Sequence, residues 1–307
     1  MSDHHHDDRG VRRALMAGIF ANLGVAIAKF VAFTATRSAA MLAESVHSVA
    51  DSSNQLLLLV GLIRSKKAAD RLHPLGYNVE RYFWSFVVAV NIFVLGAVVA
   101  IYEGVHKLAD PHPPENAIWN FAALSLAVVF ESYALRVAWK EFQHFRRENP
   151  GSLWKNLRDA KDLALPTVLF EDTAALLGLV VAAVGISLSM VTHNGIYDGL
   201  ASIIIGVVLL AVAWFLATES HSLLIGEGAS SKNRQAIVDL IEDDPDVDRI
   251  VELVTLQRGP RRIMVLANVE FGDQLDTAGV EAAVTRVRQA VLAAVPEATD
   301  VFLTPVG

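Results

Sequence analysis

A histidine and two carboxylates stand at helical spacing inside an otherwise apolar part of this 307-residue chain. Residues 41–55 read MLAESVHSVADSSNQ, with Glu44 three residues before His47 and Asp51 four residues after it. On an α-helix those spacings put all three side chains on one face. Residues 56–63 that follow are LLLLVGLI, and residues 20–36 that precede are almost wholly apolar. An ionisable side chain at the centre of a bilayer-length segment is unfavourable by about 2.5–3.5 kcal/mol on the insertion scale, so a cluster implies a partner or a pathway. Imidazole combined with carboxylate suits a borderline divalent cation such as zinc. The plainer alternative is a His–Asp hydrogen bond that ties two helices together.

Composition narrows the chemistry. The chain is 53% hydrophobic with a mean hydropathy of +0.40, more apolar than a soluble domain. It contains no cysteine, so a metal site must use His, Asp, Glu or backbone oxygen. A formal net charge of −7 argues against a nucleic-acid partner. Residues 1–13 are charged and histidine-rich and precede a full-length apolar segment, which is not the pattern of a cleavable signal peptide. Their HHHDD run is read as a disordered tail, with a metal trap or a tag remnant as alternatives.

Six apolar stretches of near-bilayer length position these residues: 13–36, 40–63, 82–107, 117–139, 164–190 and 197–218. Arg9, Arg12 and Arg13 precede the first, five Lys or Arg lie in 64–81, and seven lie in 136–161. The alternate connections hold only Arg37 and Lys107. Positive charge marks the cytoplasmic side, so both termini are expected there. From about residue 222 the pattern changes to an amphipathic helix, two alternating strands turning at 258–260, a second helix and a short third strand. The order α-β-β-α-β describes a compact α+β domain, with eight basic and fourteen acidic residues carrying most of the net charge. The expected organisation is a tail over 1–12, an all-α membrane domain of six transmembrane helices over 13–220, and a cytosolic αββαβ domain over 222–307.

Several segments together resemble the cation diffusion facilitator family. AESVHSVADSSNQ (43–55) is similar to that family's second-span motif, and HPLGYNVER (73–81) to the His-Pro-x-Gly loop entering its third span. YEGVHKLADP (102–111) resembles the exit of that span and YDGLASIIIG (197–206) the start of the sixth. With FEDTAALLG (170–178), the set looks most like the branch that contains zinc transporter 9. The resemblance covers nearly the whole chain.

The resemblance implies a tetrahedral transport site between spans two and five. His47 and Asp51 take the second-span roles, and Asp172 matches the acidic residue of span five. Four residues before it, where the family usually offers histidine, this chain has Val168. Glu171 is a lesser candidate, because adjacent helical residues point about 100° apart. It joins the site only if the helix is rotated or unwound, a distortion that Pro166 would permit. Asp70 and His73 resemble a weaker interfacial site whose third position is Tyr77, a poor zinc ligand. Histidine is absent after His221, so the binuclear site of many relatives' cytosolic domains is not expected.

The resemblance further implies a ferredoxin-like, metallochaperone-like cytosolic domain that dimerises, and a multi-pass homodimer in the cell's inner membrane. It implies no enzyme and no cofactor. Zn2+ is the transported substrate, with Mn2+, Fe2+ or Co2+ as alternatives, exported from the cytoplasm in exchange for protons. The remaining partner is membrane lipid. A non-transporting membrane subunit of the same fold is the rival reading. Asn22, Lys29, Asn91 and Glu131 are read as inter-helix hydrogen bonds or snorkelling groups, Asp198 as a helix N-cap, and Gly96 and Gly206 as points of close helix packing.

Overall fold

A computed structural model of the chain describes residues 3–36, 39–111, 117–148 and 161–306; for Glu44 and His47 the description reaches the backbone alone. Six long helices come first: α1 (Asp3–Thr36), α2 (Ala39–Arg64), α3 (Glu80–Ala109), α4 (Ala117–Glu148), α5 (Ala164–Thr192) and α6 (Ile196–Ile225). Segments of α1, α3, α4, α5 and α6 are long and apolar enough to cross a membrane. The remaining helix, α2, is 26 residues long but carries the Glu44–Gln55 polar run in its middle. The described residues up to 148 together with 163–220 form one compact unit, and residues 161–162 with 221–306 form another.

The amino terminus departs from the expected tail. Helix α1 starts at Asp3 and runs without a break into the apolar segment. Asp8 accepts from Arg81 at 2.9 Å and pairs with Lys66 Nζ at 2.8 Å, which ties the first turns of α1 to the first turn of α3 and to the α2–α3 connection. Ion pairs formed against neighbouring helices stabilise a polar helical end that composition alone reads as solvated.

Within the membrane unit α1 packs on α2 and α4, α4 packs on α5, and α2 packs on α3. Helix α3 contains a π-helical stretch at Ile92–Val98, a feature that occurs mostly as single widened turns near functional sites. Its second half meets α6 at backbone distance. A Cβ on Gly104 would lie 2.7 Å from the Gly199 carbonyl oxygen, and one on Gly206 would lie 3.0 Å from that of Ala97. Without a hydrophobic force between helices in lipid, such small residues allow the close van der Waals packing that holds them together. Lys107 on α3 pairs with Asp198 on α6 at 2.8 Å. Asp198 is therefore an ion-pair partner and not the expected N-cap; Asn194 Oδ1 caps the helix by accepting from Ile196 N at 3.0 Å. His193 adopts a left-handed conformation (φ 53°) and closes the tight α5–α6 hairpin.

The second unit contains α7 (Ser231–Glu242), β1 (Val247–Gly259), β2 (Arg262–Phe271), α8 (Thr277–Ala294) and β3 (Ala298–Val306). Ser230 caps α7 by accepting from Asn233 N, and Asp276 caps α8 by accepting from Gly279 N. The sheet order is β1-β2-β3, with β1 and β2 antiparallel and β2 and β3 parallel. The hairpin turns at Pro260 and Arg261, whose φ of 55° is left-handed. Strand alternation buries Ile263, Val265 and Val269 against Ile237, Ile241, Val287 and Val291, and Ile250, Leu253 and Val284 pack around that core. No His or Cys occurs from residue 222 onward, so a closed Cys/His metal site is not available to assist these apolar contacts.

Arg286 on α8 donates two hydrogen bonds to Asp244, at 2.7 and 2.6 Å, and one to Asp246 at 2.7 Å. This bidentate pairing holds the Asp244 carboxyl below its ordinary value of 3.8. A folded pKa below the unfolded one adds stability above the unfolded value and loses it as pH falls through the folded value. Two outcomes are expected for the fragment 222–307 in thermal denaturation. Its melting temperature is the same with a chelator as with stoichiometric zinc. The Arg286→Ala variant melts lower than wild type at pH 7, and the gap narrows as pH is taken below about 4.

Candidate metal site

Polar residues from all six long helices of the first unit converge on one cavity of about 380 Å3. Asn22 comes from α1, Asp51 from α2, Asn91 from α3, Glu131 from α4, Asp172 from α5 and Ser202 from α6. The helices bring their polar positions together because the opposite faces are apolar and exposed, as lipid-facing surfaces are.

The two neighbouring acids of α5 have opposite surroundings. Glu171 accepts from Asn54 Nδ2 at 2.7 Å and from Gln55 Nε2 at 3.2 Å, both on α2. Each carboxamide is held in turn from behind. Asn91 Nδ2 donates to Asn54 Oδ1 at 2.6 Å, and Asn22 Nδ2 donates to Gln55 Oε1 at 3.3 Å. Five residues on four helices thus form one fully oriented relay around Glu171. Asp172 is buried to 1% exposure, and its Oδ2 has no hydrogen-bond partner among the described residues. A buried oxygen without a donor is unfavourable by about 1–3 kcal/mol, more when charged. Asp172 is the acid with a free lone pair, and Glu171 is the acid already engaged.

The expected route by which Glu171 would turn toward the site is not taken. Pro166 is the third residue of α5, in the first turn, where no intrahelical hydrogen bond is lost. Thr167 N bonds to Leu163 O at 2.9 Å, and α5 continues as regular α-helix through both acids. Val168 is fully buried one turn before Asp172 and offers no ligand atom.

Asp51 is half-buried and lines the same cavity as Asp172. His47 lies one turn earlier on α2, with its side chain outside the described residues. Among the described residues no three His, Asp or Glu side chains converge closely enough to hold an ion. Lys29 on α1 donates to Ser48 Oγ on α2 at 3.1 Å.

Asp70 and His73 lie far along the chain from this cavity, in the α2–α3 connection. Asp70 Oδ1 accepts from Leu72 N at 3.0 Å and His73 N at 2.9 Å, and Oδ2 accepts from Tyr77 Oη at 2.7 Å and Lys67 Nζ at 3.1 Å. The Tyr77 hydroxyl, then the His73 backbone and Lys67, hold the Asp70 carboxyl well below the usual range. The His73 ring sits 4.3 Å from the Tyr77 ring, and His73 Nδ1 is 3.6 Å from Asp70 Oδ1. Both oxygens of Asp70 are spent on folding the loop.

The family model of the cation efflux transmembrane domain matches residues 15–225, which contain every one of these groups. The chain belongs to the cation efflux family. Members of this transporter family are not enzymes. The chain is 33% identical over 269 residues to the human "Proton-coupled zinc antiporter SLC30A9, mitochondrial", covering 88% of this chain and 47% of that protein. It is 32% identical over 269 residues to "Metal tolerance protein C4" of Arabidopsis thaliana, covering 88% of this chain and 59% of that protein. It is 25% identical over 300 residues to "Cation-efflux pump FieF" of Cronobacter sakazakii, covering 97% and 93%. The chain thus spans about half the length of the human protein it matches.

Spacing along the sequence draws the eye to His47 and Asp51, and passes over Asn54 and Gln55 directly after them. Their signal was present: they follow Asp51 at i+3 and i+4, so they continue its helical face. Removing one of them leaves one buried Glu171 oxygen without its donor. Asn54→Ala is therefore expected to destabilise the purified protein by about 1–3 kcal/mol, as a buried acceptor left without its donor does. Asp172→Asn, which removes no hydrogen bond at Oδ2, is expected to leave the melting temperature within a few degrees of wild type or to raise it.

Proposed function

We propose that this chain is a divalent-cation transporter, with zinc as the foremost substrate, exporting the ion from the cytoplasm in exchange for protons. The observation that carries this reading is the buried Asp172 oxygen without a donor, in a cavity shared with Asp51 inside an apolar helical unit. His47, one helical turn before Asp51, is assigned the imidazole ligand by its i, i+4 spacing. Glu171 is the lesser candidate, since its oxygens are taken by Asn54 and Gln55. Asp70 with His73 is a second and weaker site.

The ligand types supply the coupling. A cation requires a neutral imidazole and ionised carboxylates, so binding releases protons and protonation ejects the cation. Rocking of helix groups around a site near the middle of the membrane then exposes it to each side in turn. In this reading α2 is the sixth membrane span, residues 13–220 are the transport domain, and both termini lie on the Lys/Arg-rich cytoplasmic side. Residues 222–307 form a ferredoxin-like cytosolic domain that joins two copies into a homodimer. The assigned location is the cell's inner membrane. The names of the human and Cronobacter relatives, an antiporter of zinc and a cation-efflux pump, support transport as the activity.

Val168, where a ligand would stand, favours the rival reading of a non-transporting partner subunit. Metal flux into vesicles carrying the purified protein, compared for zinc, manganese and iron under an imposed pH gradient, separates the two. Zinc uptake that follows the gradient is expected, and its absence in folded protein would select the rival. In the same vesicles His47→Ala and Asp51→Ala are expected to abolish uptake. Asp172→Asn is expected to do the same, while Glu171→Gln only weakens it. Equal loss in the two α5 variants would mean that both carboxylates bind the ion.

A further inference from the structure

We propose that Glu131 on α4 is a cation-contacting residue of the transport path, supplying the oxygen ligand that Val168 does not provide on α5. The inference rests on the transport reading above and deepens it. Glu131 is only 9% exposed and opens into the cavity that Asp51 and Asp172 line. Unlike Glu171, it is not held by the Asn54 and Gln55 carboxamides. The nearby cation, Lys29, has its ammonium on Ser48 Oγ at 3.1 Å. Asn22 and Asn91, the other polar groups read with it as helix ties, do tie helices together.

Its charged neighbours are the proposed ligands and one lysine: Asp51, Asp172 and Lys29 line the same cavity as Glu131. Three carboxylates on α2, α4 and α5 thus line one cavity inside the helix bundle, and one Asp172 oxygen there has no hydrogen-bond donor among the described residues. Mutual repulsion and lost hydration make that arrangement unfavourable unless a cation compensates it. Lys29 brings one positive charge; a divalent ion brings two, with room for several oxygens. No three ligand-type side chains among the described residues converge in this conformation, so the proposed contact requires α4 and α5 to stand closer together than they do here. An oxygen from Glu131 also makes the donor set harder than one with a second imidazole, and oxygen-rich sets favour ions such as manganese. Glu131 is thereby a determinant of which ion is carried.

The test uses the purified full-length protein, with zinc and manganese binding measured by titration calorimetry and uptake measured in vesicles. Glu131→Gln is expected to weaken zinc binding by about 10–100-fold, the range seen for groups that support a bound metal. Manganese binding is expected to fall by a larger factor, and Glu131→Asp to keep part of both. Wild-type binding and uptake in Glu131→Gln, beside their loss in Asp51→Ala, would overturn the role of Glu131 and leave the transport reading standing. Wild-type protein that neither binds nor carries either ion would overturn both. If Glu131 serves only to balance Lys29, Lys29→Met/Glu131→Gln will recover wild-type binding, and that result also overturns the proposal. Should Glu131→Gln not fold, Glu131→Asp decides: an altered ratio of manganese to zinc affinity supports the role, and an unchanged ratio sinks it.

Discussion

A carboxylate carried into an apolar helix bundle has to be met there by hydrogen-bond donors or by a cation, since water no longer solvates it. Both solutions stand side by side on α5. Glu171 is met by two carboxamides whose own oxygens are in turn held by Asn91 and Asn22, so the first three helices and α5 are locked through one relay. Asp172, the next residue, has an oxygen that nothing in the described structure meets. The difference comes from the 100° step between adjacent helical positions, which turns one acid into the α2 contact and the other into the cavity. The engaged acid builds the bundle, and the unengaged one is left for chemistry.

The helices around this pair divide the work of holding it. Close approach of α3 and α6 at Gly104, Gly199 and Gly206 replaces side-chain volume with backbone contact. The Lys107–Asp198 pair adds a polar fastening between the same two helices. On the other side, α1 reaches both the relay, through Asn22, and the Ser48 hydroxyl, through Lys29. The π-helical turn after Asn91 follows directly on the residue that orients Asn54. Polar tethers and small-residue packing together make a cavity whose walls are shared by every helix, an arrangement in which a shift of one helix changes the whole lining.

In the second unit the same chain solves a simpler problem. Its core is ordinary aliphatic packing from two helices onto one face of a three-stranded sheet. Its charges are used at the surface, where Arg286 gathers the Asp244 and Asp246 carboxylates of the turn before β1. With no histidine or cysteine available, nothing in its chemistry calls for a metal.

Much of this was legible in the linear order of residues, because it depends on periodicity and composition. Apolar runs of bilayer length mark the helices, alternation marks the strands, and the aliphatic residues at strand and helix spacing in the αββαβ domain form its core. The i, i+4 spacing of His47 and Asp51 and the motif at Asp172 were likewise readable as local patterns. Other features were decided by contacts between residues far apart in sequence, which periodicity does not encode. Asp8 finds Arg81, so the amino-terminal residues from Asp3 become helix and not tail. Asp198 finds Lys107 and leaves the capping to Asn194. Pro166 looks like a distortion in the sequence but falls in a first turn, where its missing N–H has no helical partner to lose. Glu171 and Asp172 are indistinguishable as neighbouring acids in a string. Which of them is satisfied depends on where Asn54 and Gln55 arrive from α2, and only the packed bundle determines that.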